Sequence, residues 1–141
     1  MLYSKTAKYA VLALAEVARS GSERPVPTKH IAEAASIPYP LLAKIVGRLR
    51  IARIVRATRG KSGGIVLARP ADEVTILDVV IALDGEALLN DCPLHLDPCG
   101  CDRPCSLHSL WKPARDSVVE FLRMTTIQAV ADACVQPAAK P

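Results

Sequence analysis

Aromatic residues are nearly missing from this 141-residue chain: one Trp, three Tyr and one Phe, 4% of the total. A core of stacked rings is therefore excluded. With 50% of the residues hydrophobic, the interior has to be aliphatic and alanine-rich, which suits helices in close contact. No apolar run reaches the length needed to cross a bilayer. The opening MLYSKTAKYAVLALAEVARS imitates a secretory leader, with Lys5 and Lys8 ahead of an apolar stretch and Ala15-Glu16-Val17-Ala18 resembling a cleavage site. Lysines spread through the stretch and Glu16 within it fit an amphipathic helix better, with Ala7, Ala10, Val11, Leu14, Ala15 and Ala18 as its apolar stripe. The expected location is then the cytoplasm, where thiols stay reduced, so the cysteines clustered between positions 92 and 105 point to metal or redox chemistry rather than to a disulfide framework. The length suits one domain with an appendage.

Acid is also scarce, but only locally. Between Arg24 and Arg69, ten Lys or Arg residues face a single acid, Glu33, giving +9 there, whereas the remainder carries −5 and the whole chain +4. That asymmetry suits one half to a polyanion and the other half not. The order of elements agrees. GSERPVP breaks the chain after the first helix; Thr28 offers an N-cap for a short helix over Lys29 to Ala35, with Ile31, Ala34 and Ala35 inward. Ser36-Ile37-Pro38-Tyr39 interrupts it, because a residue before proline is pushed out of the helical region. Pro40 then sits in the first turn of a third helix that buries Leu42, Ile45 and Leu49. Arg53 to Thr58 and Ile65 to Leu67 read as two strands joined by the flexible turn RGKSGG.

Two short helices followed by a basic ribbon predict a mainly α fold, a winged helix-turn-helix with a small two-stranded wing. Such a helix enters the major groove by its N-terminal residues, so Tyr39, Pro40, Ala43 and Lys44 are assigned to base edges, with Thr28 and Arg48 nearer the backbone. The ribbon tip Arg59-Gly60-Lys61-Ser62-Gly63-Gly64 suits the minor groove, since glycine lets backbone pass close and a narrow, negative groove attracts arginine. Gly60-Lys61-Ser62 also echoes the end of a phosphate-binding loop, but that motif needs a glycine at position 55, which is Val. Nucleotide hydrolysis is not supported, and no enzyme is expected.

Past the wing, Thr75 with Asp78 caps a helix that runs to Leu83 and stops at Gly85. Then comes DCPLHLDPCGCDRPCSLHSLW, holding four of the five cysteines and two of the three histidines. The spacing is Cys92-x6-Cys99-x5-Cys105-x2-His108, with Cys101 and His95 as additional donors. Thiolates select zinc, cuprous copper or iron-sulfur clusters. The tight Cys101-x3-Cys105-x2-His108 run suits zinc; the wider spacings, broken by Pro93, Pro98, Gly100 and Pro104, suit a polynuclear cluster at least as well. His95 reads as a solvated loop residue, His30 as at most a phosphate contact and Cys134 as a small buried or tail thiol. Leu107, Leu110, Trp111, Ala114, Val118, Phe121 and Leu122 continue a helical stripe, Thr126 caps a last short helix, and QPAAKP is a frayed tail.

These motifs together resemble the Rrf-two family of winged-helix regulators: the opening SKTAKYAVLAL, the helix LLAKIVGRLR, the wing RGKSGGIVL, the stretch ARPADEVTILDVV and the cysteine loop ending CSLHSLW. The resemblance implies a homodimer joined through the long helix after the cysteine loop, with an iron-sulfur cluster near that interface tuning the binding of a double-stranded DNA operator. It places the cluster ligands at Cys92, Cys99, Cys105 and His108 and favours 2Fe-2S over 4Fe-4S. Nitric-oxide sensors of the family that hold a four-iron cluster use an aspartate from the first helix, where this chain has Lys8. Cys101 is an extra thiol, able to replace His108 or to act as a resolving partner on oxidation. Ala43 stands where the biogenesis regulators carry an acid, and Ile65 where a tyrosine is usual, which alters the expected operator preference. The expected division is 1–84 for DNA binding, 85–108 for the cluster, 109–134 for dimerisation and a terminal helix, and 135–141 for a tail. The expected function is a cluster-dependent repressor sensing iron-sulfur status, nitric oxide or oxidative stress. The rivals are a cluster-free thiol or zinc sensor of the same fold and an electron-transfer or cluster-delivery protein.

Overall fold

The computed structural model describes residues 3–21, 23–90, 92 and 105–134. Its order is α1 (Lys5–Arg19), α2 (Thr28–Ala34), α3 (Tyr39–Ile51), β1 (Val55–Thr58), β2 (Gly64–Leu67), α4 (Ile76–Asp84), α5 (Ala87–Asn90), α6 (His108–Met124) and α7 (Ile127–Ala133). The fold is mainly helical with a two-stranded antiparallel wing, as the patterning predicts.

α1 is the central helix. Its stripe is wider than expected, adding Ala13 and Val17 to Ala7, Ala10, Val11, Leu14 and Ala15, because it packs against α2, α3, α4, α7 and β2 at once. Alanines on several sides permit that close approach. Its N-terminus is closed twice: Ser4 Oγ accepts from the Ala7 N–H at 3.0 Å, and Asp84, at the end of α4, accepts from Ser4 N–H at 2.7 Å and from its hydroxyl at 2.5 Å. A carboxylate that would oppose the dipole of its own helix end thus serves the positive end of another.

The breaks around α2 and α3 differ from expectation in an instructive way. Thr28 is the first helical residue and not the cap; Pro27 holds that place, and no side-chain bond closes it. The cause is long-range: Val26 pairs with Ile65 through bonds of 2.9 and 2.8 Å, fixing the chain in extended form up to Pro27. α2 buries Ile31 and Ala32, leaving Ala34 exposed and Ala35 half-buried. It ends in a left-handed turn at Ser36 (φ 54°), upstream of any effect of Pro38. There Ile37 N–H donates to Ala32 and Ser36 N–H to Glu33, and Ile37 buries its side chain against the core. α3 ends the same way, with Arg53 (φ 57°), Ile54 N–H donating to Leu49 and Arg53 N–H to Arg50. Both are six-to-one closures built without glycine. Arg53 therefore lies outside β1, which starts at Val55.

α4 has the expected capping box: Asp78 N–H donates to Thr75 Oγ1 at 3.1 Å and Thr75 N–H to Asp78 Oδ2 at 2.9 Å, and Gly85 (φ 79°) ends it. A helical turn, α5, follows where only loop was expected. Thr126 caps α7 as expected, accepting from Ala129 N–H. α7 returns to α1 and is tied to the α4 entrance by Ile127 N–H to Val74 and Ile76 N–H to Thr125.

Candidate nucleic-acid interface and thiolate site

Leu42, Ile45 and Leu49 seat α3 in the core at i, i+3 and i+7, which leaves the opposite side of the helix free. Tyr39, Pro40, Ala43 and Lys44 are all exposed there on its first half, and Arg48 is exposed one turn further on. Thr28 is half-buried at the start of α2. Between α2 and the α3 entrance lies a hollow of about 380 Å³ lined by Lys29, Ala32, Glu33, Ile37 and Tyr39.

The wing pairs Val55 with Leu67 and Thr58 with Gly64, so its exposed tip is Arg59-Gly60-Lys61-Ser62. The tip is held by Gly63 N–H donating to Gly60 at 3.0 Å. The glycine pair is more than a flexible turn. A Cβ on Gly64 (φ 153°) would stand 2.3 Å from the Val26 carbonyl oxygen, and one on Gly63 2.4 Å from that of Thr58. Gly64 is thus the contact that lets the wing lie on the chain entering α2.

Two arginines outside the expected set belong to this face. Gly47, Arg50 and Ile51 on α3 and Arg56 and Thr58 on β1 line a shallow groove of about 710 Å³ between helix and wing, and Ile51 is 85% exposed. The signal for it was in the sequence: residues 34–71 contain no acid, so any surface they form together is basic.

The second site is at the start of α6. Cys105 is exposed and Cys92 half-buried. His108, half-buried, begins α6 with its backbone N–H donating to the Cys105 carbonyl at 3.0 Å, so the two residues stand one turn of chain apart. Cys99, Cys101 and His95 lie outside the described residues, and among the described residues alone no group of three metal-capable side chains forms. The donor chemistry nonetheless fits a thiolate-held group, since Cys105 and His108 supply soft and borderline ligands at one turn's spacing.

α6 keeps the predicted helix, and much of its apolar stripe faces outward. Leu122 is fully buried, yet Leu107, Leu110, Phe121 and Met124 are exposed, the last three at 73%, 59% and 71%, and the residues buried with Leu122 are Val119 and Arg115. Among the described residues, Nε and Nη1 of Arg115 are buried without a hydrogen-bond partner. No helix among these residues is long and apolar enough to cross a membrane.

Comparison with known proteins accords with this arrangement. The HTH-type transcriptional regulator IscR of Photorhabdus laumondii is 30% identical over 132 residues, covering 94% of this chain and 80% of the relative. Among solved structures, CymR, the global cysteine regulator of B. subtilis, superposes with a TM-score of 0.79 at 29% identity, covering 92% of this chain and 95% of its own. IscR of T. potens superposes with a TM-score of 0.75 at 26% identity, covering 98% and 90%. Residues 3–133 match the family described as Rrf2, iron-dependent transcriptional regulator. The chain belongs to the Rrf2 family and is a transcriptional regulator rather than an enzyme.

Proposed function

We propose that the protein is a cytoplasmic, homodimeric repressor whose grip on a two-fold symmetric operator depends on an iron-sulfur cluster held by Cys92, Cys99, Cys105 and His108. The observation that carries this reading is the donor set itself, three spaced cysteines and a histidine feeding straight into α6, in a chain of an iron-dependent family. When bound, such a cluster supplies an inorganic core sensitive to iron supply, oxygen and nitric oxide. The favoured nuclearity is 2Fe-2S, because three cysteines and one imidazole complete four positions and Lys8, exposed on α1, is no ligand for a larger one.

The chain's own residues do the rest. Tyr39, Pro40, Ala43 and Lys44 read the major groove, Thr28 and Arg48 hold backbone, and Arg59, Gly60, Lys61 and Ser62 reach the minor groove, while Arg50 and Arg56 flank the strand between them. The exposed apolar residues of α6 support pairing with a second copy. Residues 1–84 then serve the operator, 85–108 the cluster and 109–134 the dimer. Half-sites lie about 34–36 Å apart, so a small change in the spacing of two α3 helices alters how many contacts form together.

The test is operator affinity of protein isolated without air, fully loaded with iron and sulfide, against the same protein stripped of both. A coupling of about 1–3 kcal/mol is expected; equal affinity overturns the reading. The variant Arg59→Ala with Lys61→Ala should flatten the salt dependence, by about 0.9 in slope for each phosphate it no longer neutralises, with the visible spectrum unchanged. A second reading has its own support: the likeness to a cysteine regulator favours a cluster-free thiol sensor using Cys99, Cys101 and Cys105. Iron-free, colourless protein from the same preparation selects it.

A further inference from the structure

Gly47 sits in the interior of α3, where a glycine costs a helix stability relative to alanine. Among the described residues nothing requires it: its backbone is helical, and a Cβ added there would meet no heavy atom within 4 Å. A side chain whose absence serves no contact inside the molecule leaves room for something that comes close from outside.

The surroundings say what comes. Leu42, Ile45 and Leu49 hold the opposite face of α3 in the core, so Gly47 stands one turn beyond Ala43 and Lys44 on the outward side. With Arg50 it forms one wall of the groove of about 710 Å³ whose other wall carries Arg56 and Thr58 of β1. Both arginines are exposed, and among the described residues neither pairs with a carboxylate; residues 34–71 have none to offer. The groove is therefore cationic on both walls and bare of side chain at one point. A duplex whose major groove takes α3 and whose minor groove takes the wing tip must pass one sugar-phosphate strand between those two elements, and the groove lies between them.

We propose that this groove is a binding subsite for one phosphodiester strand of duplex DNA, with Arg50 and Arg56 on its phosphates and Gly47 as the point where the strand runs closest to the α3 backbone. The subsite rests on the docking proposed above and adds to it a residue that acts by what it lacks. A guanidinium presents a planar fork that matches two phosphate oxygens, and glycine lets a ligand approach the main chain. Such a contact holds register on the duplex and is blind to base sequence.

The experiment measures binding of a labelled, mixed-sequence duplex of about 30 base pairs, long enough for two half-sites, by the full chain isolated without air. Potassium chloride is varied between about 50 and 200 mM, and urea unfolding of each variant is followed alongside. Gly47→Ala should raise the urea midpoint and yet weaken binding, and Gly47→Leu should weaken it by about tenfold or more. Arg50→Ala with Arg56→Ala should lower the salt slope by about 0.9 for each phosphate released. Gly47→Leu binding as the parent does overturns the close approach, and an unchanged slope in the arginine pair overturns the subsite. If Gly47→Leu does not fold, Gly47→Ala and the arginine pair decide. Arginine variants that hold the duplex as the parent does but lose polyglutamate would assign the groove to an acidic protein and overturn the proposal. The wing-tip variant Arg59→Ala with Lys61→Ala separates the subsite from the docking. If it weakens the duplex while the groove variants do not, the docking stands and the subsite falls; if it and the groove variants all bind as the parent does, the docking falls and the subsite with it.

Discussion

The basic half of the molecule and the α6 region solve the same problem, where to put apolar and charged side chains, in opposite ways. From α2 to β2 the apolar residues Ile31, Leu42, Ile45, Leu49, Ile54, Ile65 and Leu67 are buried, with Tyr39 and Ile51 as the large exposed exceptions, while every Lys and Arg is exposed. Along α6, Leu110, Phe121 and Met124 face solvent and Arg115 is buried. The first region sorts its side chains by its own packing; the second leaves an apolar surface on its outer side, which the proposed pairing with a second copy would cover.

The contrast is broken most forcefully at the outer face of α6. Leu110→Glu with Phe121→Glu should raise the dissociation constant of the proposed dimer at least about a hundredfold, since charged groups would then be desolvated where α6 is expected to pair; sedimentation of the variant as a dimer at micromolar concentration would contradict it. The far-ultraviolet spectrum should stay that of the parent, because neither residue is in the core. Next in size is Gly64→Ala, which forces a Cβ onto the Val26 carbonyl. It should cost about 2–3 kcal/mol of stability in urea unfolding, whereas Gly60→Ala, strained in φ but with open space around it, should cost about 1 kcal/mol. The smallest effect has the opposite sign. Ser36→Gly relieves a left-handed residue in the turn between α2 and α3 and should add about 0.5–1 kcal/mol, read as a higher urea midpoint at unchanged slope.

The sequence made the fold legible where local chemistry decides it. The Thr75–Asp78 box, the Thr126 cap, the glycine stop at 85 and the inward stripe of α3 are all set by residues within a turn or two of each other. It was silent where a distant partner decides. Thr28 yields its cap role to the Val26–Ile65 pairing, which joins residues 39 apart. The α6 stripe is right as a period and carries no direction, because periodicity marks an apolar face without saying whether the same chain or another covers it. Arg115 could not be picked out from the other arginines until the helix was placed against the core. The groove with Arg50 and Arg56 needed the wing's register. Of the thiolate site, the ligand types and spacing are read from the sequence; the described structure adds the one-turn relation of Cys105 to His108 and the buried cation two turns on.

The seating of the wing on the strand before α2 has a consequence for the operator. Because Val26 and Ile65 clasp each other and Gly64 leaves no gap between them, the wing is fastened to the entrance of α2, like one prong of a plug moulded to its base. On the proposed docking, the separation between the stretches met by the wing and by α3 is then a fixed length, and inserting one base pair between them should abolish recognition as thoroughly as scrambling either stretch.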